Sequence, residues 1–216
     1  KGEEAAEREV LVVGLAGGVL PRFIGRYFGA HVTAVELDPV VCDFAGRYLG
    51  FKPSESLSVV TAEGMEYIRG CKDGRWDIAI LDVNAQSPDN PLEAPPEEFV
   101  TKEALAHLAR VTEGGGVAVI NMLCSDEALF DTIISRVQDA FHGTVCTLRG
   151  IEEDADENCV VFAVNRHDPS WPPPLKVLQE RVEKLENAVP QLKQFGLSTR
   201  MNDQWRVVTR HRSKKK

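Results

Sequence analysis

The chain has 216 residues, 43% of them hydrophobic, which suffices for one sizeable α/β core with an appendage. It contains no apolar run of the ~18 residues that a membrane-spanning helix needs, and a formal net charge of −8 argues against nonspecific nucleic-acid binding. Cys42, Cys71, Cys124, Cys146 and Cys159 form no CxxC pair and are odd in number. That pattern points to reduced core thiols in a cytoplasmic protein and away from a disulfide frame or a metal site. The opening Lys1-Gly2-Glu3-Glu4 is neither an initiator methionine nor a signal peptide, so the expectation is a domain cut from a longer protein.

Val10-Leu11-Val12-Val13 is the first element, an apolar run of the kind found in buried parallel strands, and it breaks into Gly14-Leu15-Ala16-Gly17-Gly18. A helix would follow, and then an apolar run from Val32 that ends at Glu36, 22 residues past Gly14. Strand, glycine turn, helix, strand and acid is how a doubly wound fold holds an adenosine-type ligand. The turn lets the backbone come close and the carboxylate takes the ribose hydroxyls. Gly14-x-x-Gly17-Gly18 lacks the third glycine of a dinucleotide fingerprint, and no Gly-Lys-Ser/Thr is near, which excludes a Walker loop. A ligand without phosphate, such as S-adenosylmethionine or its decarboxylated form, suits this turn better than NAD. The alternative is a tight turn that only packs helix on sheet.

Further on, Ser56–Thr61 reads as a strand, Gly64–Cys71 as a helix, and Trp76–Asp82 as a strand ending in acid. Pro88, Pro91, Pro95 and Pro96 keep the loop from Val83 to Pro96 from being helical for long. A helix over Glu98–Arg110, a turn at Glu113–Gly116, a strand over Val117–Met122 and a helix over Asp126–Phe141 come next. Strands at Thr144–Arg149 and Cys159–Val164, separated by the acidic Glu152–Glu157 loop, form a hairpin. Residues 1–167 thus predict a Rossmann-like α/β domain with a mostly parallel sheet closed by an antiparallel hairpin. Residues 168–205 are expected to hold a Pro-rich connector and one amphipathic helix. Its stripe of Leu175, Leu178, Val182, Leu185 and Val189 would pack on the domain's own sheet, a partner helix being the alternative. Arg206, Arg210, Arg212 and Lys214–Lys216 make residues 206–216 a basic tail without acids. It is expected to be solvated, contact with RNA or an acidic partner being the alternative.

Four segments, Val13–Pro21, Ala34–Pro39, Ala62–Ile68 and Asp77–Val83, resemble the spermidine-synthase-like superfamily. Together with Pro95–Val100, Val119–Cys124 and the terminal leucine helix, the likeness spans about residues 8–195. It is greatest to the branch of elongation factor 1-alpha lysine and N-terminal methyltransferases. That resemblance implies a class I methyltransferase fold and a protein N-methyltransferase acting on an α-amine or lysine of elongation factor 1-alpha. S-adenosylmethionine would be its cofactor and S-adenosylhomocysteine its product.

By the same resemblance, Gly14, Leu15, Gly17 and Gly18 would wrap the methionine portion, with Ala16 where the family usually has another glycine. Glu36 would take the ribose hydroxyls and Leu37 would lie along the adenine. Glu63, beside Gly64, stands where the family usually has an aspartate on the adenine amino group; by itself it is also a helix N-terminal acid. Asp82 would stand beside the sulfonium and handle the acceptor amine, joined by Asn84 and Asn121, with Met122 facing the same pocket. Asp82-Val83-Asn84 lacks the second acid of the Asp-Ser-Ser-Asp-Pro segment of aminopropyltransferases, and Asn84 departs from the Asp-Val-Asp of the methyltransferase branch. A few polar groups suit holding a protein α-amine (pKa about 7.7–8.0) better than deprotonating a lysine (about 10.4). An aminopropyltransferase and a noncatalytic binding domain with a decayed site remain as alternatives. No metal is expected, and the oligomeric state is left open, a dimer among the options.

Overall fold

The structure, a computed structural model, describes residues 8–84, 90–112, 114–142, 145–150, 158–165 and 171–208. Its elements run β1 (Glu9–Val13), α1 (Val19–Phe28), β2 (His31–Glu36), α2 (Pro39–Tyr48), β3 (Leu57–Thr61), α3 (Gly64–Gly70), β4 (Ile78–Leu81) and β5 (Leu92–Ala94). They continue with α4 (Lys102–Val111), β6 (Val117–Cys124), α5 (Glu127–Phe141), β7 (Val145–Arg149), β8 (Asn158–Val164), α6 (Leu175–Ala188), α7 (Leu197–Gln204) and β9 (Trp205–Val208). Short 3₁₀ segments cover Glu97–Val100 and Pro190–Phe195.

Alternation along β1 sets up two cores. Val10 and Val12 face α1 and α2 among Ile24, Ala45 and Phe51, while Leu11 and Val13 face the other layer among Ile68, Leu105, Leu108 and Ile133. A strand segment buried on both faces must be apolar throughout, which is why β1 is apolar from Val10 to Val13, after the half-buried Glu9 at its start. Each such fully buried aliphatic side chain contributes about 1.5–3 kcal/mol. The helices begin where side chains satisfy their first N–H groups: Asp38 accepts from Val40, Thr101 from Ala104 and Asp126 from Leu129.

The strand order is β3-β2-β1-β4-β6-β8-β7-β9, parallel from β3 through β6 and antiparallel from β8 onward. The Rossmann-like sheet closed by the β7–β8 hairpin is therefore present. β5 adds to it from within the proline loop, antiparallel to β6 at Leu92↔Cys124 and Ala94↔Leu123, beyond the point where β4 stops. Asn90 holds its entry by accepting from the Leu92 N–H at 3.0 Å.

The C-terminal region departs most from expectation. Instead of one helix, residues 175–208 form α6, a 3₁₀ segment, α7 and β9. Arg206, placed by the sequence in the basic tail, lies in β9, paired with Thr147 of β7. Trp205 packs on Phe162 with ring centroids 5.6 Å apart, and Gln138 donates to the Val208 carbonyl at 3.0 Å. α6 packs chiefly on α7 and the 3₁₀ segment, and α7 in turn on β7. The acidic Glu152–Glu157 loop, residues 166–170 of the connector and residues 209–216 of the tail lie outside the described residues. Among the described residues no helix is long and apolar enough to cross a membrane. None of the five cysteines forms a disulfide; Cys124, Cys146 and Cys159 are buried, and burial pushes the Cys146 thiol up to about 11.

Glu186 locks α6 to α7. Its Oε2 accepts from Ser198 Oγ at 2.7 Å and its Oε1 from the Leu197 N–H at 2.6 Å. The Ser198 hydroxyl first, and then the backbone N–H groups of Leu197 and Ser198, hold this carboxyl below its ordinary value against the opposing effect of burial. A depressed folded pKa contributes stability above the unfolded value, about 4.3, which is lost as pH falls through the folded value. Glu186→Gln is therefore expected to melt a few degrees below the wild type at neutral pH. The gap should narrow as the melts are repeated at pH values progressively below about 4.3, closing once the lowered folded value is passed.

Candidate active site

The glycine turn is built around a close backbone approach. Gly14 adopts φ 100°, and a Cβ there would run into the backbone carbonyl of Asp82 at the end of β4. The Gly14 N–H donates to Val35 O at 2.8 Å and the Asp82 N–H to Val13 O at 2.9 Å, so the carboxyl ends of β1, β2 and β4 are knit at one place. Ala16 sits at φ 45°, the left-handed region where an L residue is strained and the resemblance calls for glycine. Gly18, at φ 70°, opens α1, and the Phe51 ring fills the space a Cβ would need. Gly17 lies beside Leu49 Cδ1, which a Cβ would meet at 3.1 Å.

Glu36 clamps this turn to the strand end. Its Oε2 accepts from the Leu15 N–H at 3.0 Å and its Oε1 from the Asp38 N–H at 3.1 Å, and each oxygen keeps a further lone pair. Leu37, next in the chain, is 62% exposed. Glu63 spends its carboxylate on its own helix, accepting from Met65 N–H at 2.8 Å and Glu66 N–H at 2.7 Å. The helix-capping role is thus present, and the spare lone pairs leave room for another donor. Gly64 is buried, since a Cβ there would meet Val13 Cγ1 at 2.6 Å and the Phe99 ring at 3.1 Å.

A cavity of ≈ 630 Å³ opens between these groups and the following loop. Leu37, Glu63 and Gly64 line one part of it, and Val83, Asn84, Asn90 and the 3₁₀ residues Glu97–Phe99 another. Its volume is that of a small-molecule site. Among the described residues its charged lining side chains are all acids, Glu63, Glu97 and Glu98. Asp82 precedes the Val83–Asn84 wall and is held by Asn121, whose Nδ2 donates to Asp82 Oδ1 at 3.0 Å. Leu81 of β4 is registered with Ile120 of β6, which brings the next residues of both strands side by side.

Of the expected site residues, Leu37, Glu63, Gly64 and Asn84 line the cavity; Gly14, Leu15, Gly17, Gly18 and Glu36 make the adjoining turn and its clamp. Asp82 and Asn121 form a pair. Met122 is corrected: it is 0% exposed in the core under α4 and α5, because neighbours on a strand point to opposite faces. Glu97 and Glu98 have no role assigned from the sequence, although they lie in the Pro95–Val100 segment that carries part of the resemblance.

The spermine/spermidine synthase domain family matches residues 2–149 of this chain. The eEF1A lysine and N-terminal methyltransferase of Mus musculus is 32% identical over 152 residues, covering 68% of this chain and 22% of its own. The polyamine aminopropyltransferase of Vibrio vulnificus is 34% identical over 125 residues, covering 56% of this chain and 40% of its own. The crystal structure of human methyltransferase-like protein 13 in complex with SAH has a TM-score of 0.72 at 28% identity, covering 84% of this chain and 82% of that one. The expected class I methyltransferase fold is thus the fold observed. The chain spans about a quarter of the length of the curated methyltransferases it matches.

The turn favours glycine at both positions 14 and 16, so opposite substitutions there are expected to have opposite effects. Gly14→Ala, which must displace the Asp82 backbone, is expected to cost about 3 kcal/mol, roughly 6–12 °C in melting temperature. Ala16→Gly relieves a left-handed alanine and is expected to gain up to about 1 kcal/mol. Thermal melts of both variants check this.

Proposed function

The chain belongs to the spermine/spermidine synthase domain family, and from that premise we propose that it is an S-adenosylmethionine-dependent protein N-methyltransferase. Its acceptor is an N-terminal α-amine or a lysine of a translation elongation factor, as the names of its relatives indicate. What carries the proposal is the charge of the cavity wall. With Glu63, Glu97 and Glu98 as its charged lining among the described residues, the cavity suits a sulfonium and an amine acceptor and repels a pyrophosphate.

The residues present fit this cofactor. Glu36, at the end of β2, has acceptor capacity left for ribose hydroxyls; Leu37 offers an exposed apolar face to the base; Glu63 retains lone pairs for an exocyclic amine. When bound, S-adenosylmethionine would supply a sulfonium-borne methyl group for in-line attack by a neutral amine, the C–S bond breaking as the N–C bond forms, S-adenosylhomocysteine leaving with the bonding pair and the methylated ammonium losing its proton to solvent.

The chain's own contribution is to position that amine. Asn121 fixes Asp82 through Oδ1, and among the described residues Oδ2 carries no other hydrogen bond, so it is free to accept an amine N–H. Asn84, exposed on the cavity wall, offers its carbonyl oxygen as a second acceptor. An α-amine with a pKa of about 7.7–8.0 is substantially neutral at cellular pH and needs orientation more than deprotonation. That favours an N-terminal amine over a lysine. The acidic wall would also suit a polyamine, but Val83-Asn84 supplies no second acid after Asp82.

Calorimetric titration with S-adenosylmethionine, S-adenosylhomocysteine and decarboxylated S-adenosylmethionine tests this directly. The first two are expected to bind, and Glu36→Ala to weaken both by about 10–100-fold. Asp82→Asn should keep that affinity within a few-fold. It should also slow methylation of an amino-terminal elongation-factor peptide by about 100-fold or more. Preference for the decarboxylated compound would turn the assignment to aminopropyl transfer, and absence of binding to all three would leave a noncatalytic domain.

A further inference from the structure

Eight of the ten exposed large hydrophobic side chains among the described residues fall between Val19 and Leu49. Leu37 belongs to the cavity already described; the others lie on α1, on α2 or at the end of α2, a concentration that scattered surface hydrophobics do not explain. Along α1 runs a groove of ≈ 480 Å³, closed on its other side by the segment that leads into β3. Arg22, Phe23, Arg26 and Tyr27 from α1 and Ser54 and Ser56 from that segment line it, and none of its lining residues lines the candidate active-site cavity.

The chemistry of this groove is opposite to that of the rest of the chain. In a sequence of net charge −8, both charged lining residues are arginines, and neither pairs with a carboxylate among the described residues. They stand four apart on one helix, where like charges repel unless an anion lies between them. Arg22 uses one Nη1–H on the Leu49 carbonyl at 3.3 Å, and the Arg26 guanidinium lies 5.7 Å from the Tyr27 ring centre. The other guanidinium N–H groups are available to carboxylates. The Phe23 and Tyr27 rings, 4.9 Å apart, make an apolar floor, and the Ser54 and Ser56 hydroxyls sit 3.4 Å from each other on the opposite wall. Guanidinium pair, aromatic floor and hydroxyl wall match carboxylates that flank an apolar side chain.

We infer that the α1 groove docks an acidic segment of a partner protein, with an aromatic or branched apolar residue of that segment on the Phe23–Tyr27 floor. Two cations on an otherwise acidic chain are too few to hold a nucleic-acid backbone. The inference goes beyond the proposed methyl transfer and does not rest on it.

The test uses the full chain and a phage-displayed library of random dodecapeptides, followed by fluorescence polarisation of the recovered peptides. Wild-type protein is expected to enrich peptides with Asp or Glu around an aromatic residue. Arg26→Glu, which leaves the Arg22–Leu49 bond in place, should weaken them at least tenfold with its melting temperature unchanged. Replacing the acids by lysine in the peptide should abolish binding. The inference is overturned by recovery of peptides without an acidic consensus, by equal affinity for Arg26→Glu, or by equal binding of a 12-nucleotide RNA. A concentration-dependent dimer that Arg26→Glu dissolves would also overturn it, since a second copy would then cover the groove.

Discussion

The carbonyl of Asp82 occupies the space in which a side chain at Gly14 would begin, and the geometry of the carboxyl edge of the sheet follows from that approach. Because β1 and β4 come this close, the turn after β1 and the acid after β4 share one crevice. Chain order explains why the crevice is there. From β1 the chain runs outward through β2 to β3, then returns past β1 to β4, so the connections diverge between β1 and β4. Ligands of open α/β sheets bind at such a switch point, outside the carboxyl ends of the strands. Glu36 arrives from β2 on one side and Asn121 from β6 on the other, each tied by a hydrogen bond to a group of the β1–β4 junction.

Charge then divides the molecule. The cavity wall presents acids, which lowers the local potential where a sulfonium and an amine would meet. The α1 groove presents arginines and aromatic rings. α1 begins directly after the glycine turn, so one helix carries the groove on its flank while its first turn abuts the candidate active site. A partner held along α1 would be held next to the cavity, with docking and chemistry separated onto surfaces of opposite sign.

Much of this was legible in the sequence wherever local pattern and tertiary demand coincide. A strand buried on both faces must be apolar throughout, so β1 announced itself, and glycine is the residue that tolerates φ 100° against a neighbouring backbone. Glu36 was found because its distance from Gly14 is set by one helix and one strand. β5 was hidden because three residues flanked by prolines carry no period, and only the free edge of β6 makes them a strand. β9 was hidden because its pairing partner β7 lies about 60 residues away and its arginine reads as tail. Met122 faces the core and not the pocket, because the residue next to Asn121 on a pleated strand points to the opposite face. Glu97 and Glu98 reach the cavity only through the 3₁₀ segment that follows β5, a tertiary placement without a local signature.

In the proposed function, one crevice at the β1–β4 switch point would hold the cofactor and present its reactive end to the Asp82–Asn121 pair. A crystal structure of the protein soaked with S-adenosylhomocysteine addresses it most directly. The expected result is ribose hydroxyls on the Glu36 carboxylate, the base against Leu37, and the sulfur facing Asp82. Density elsewhere, or in this crevice without contact to Glu36, would contradict it.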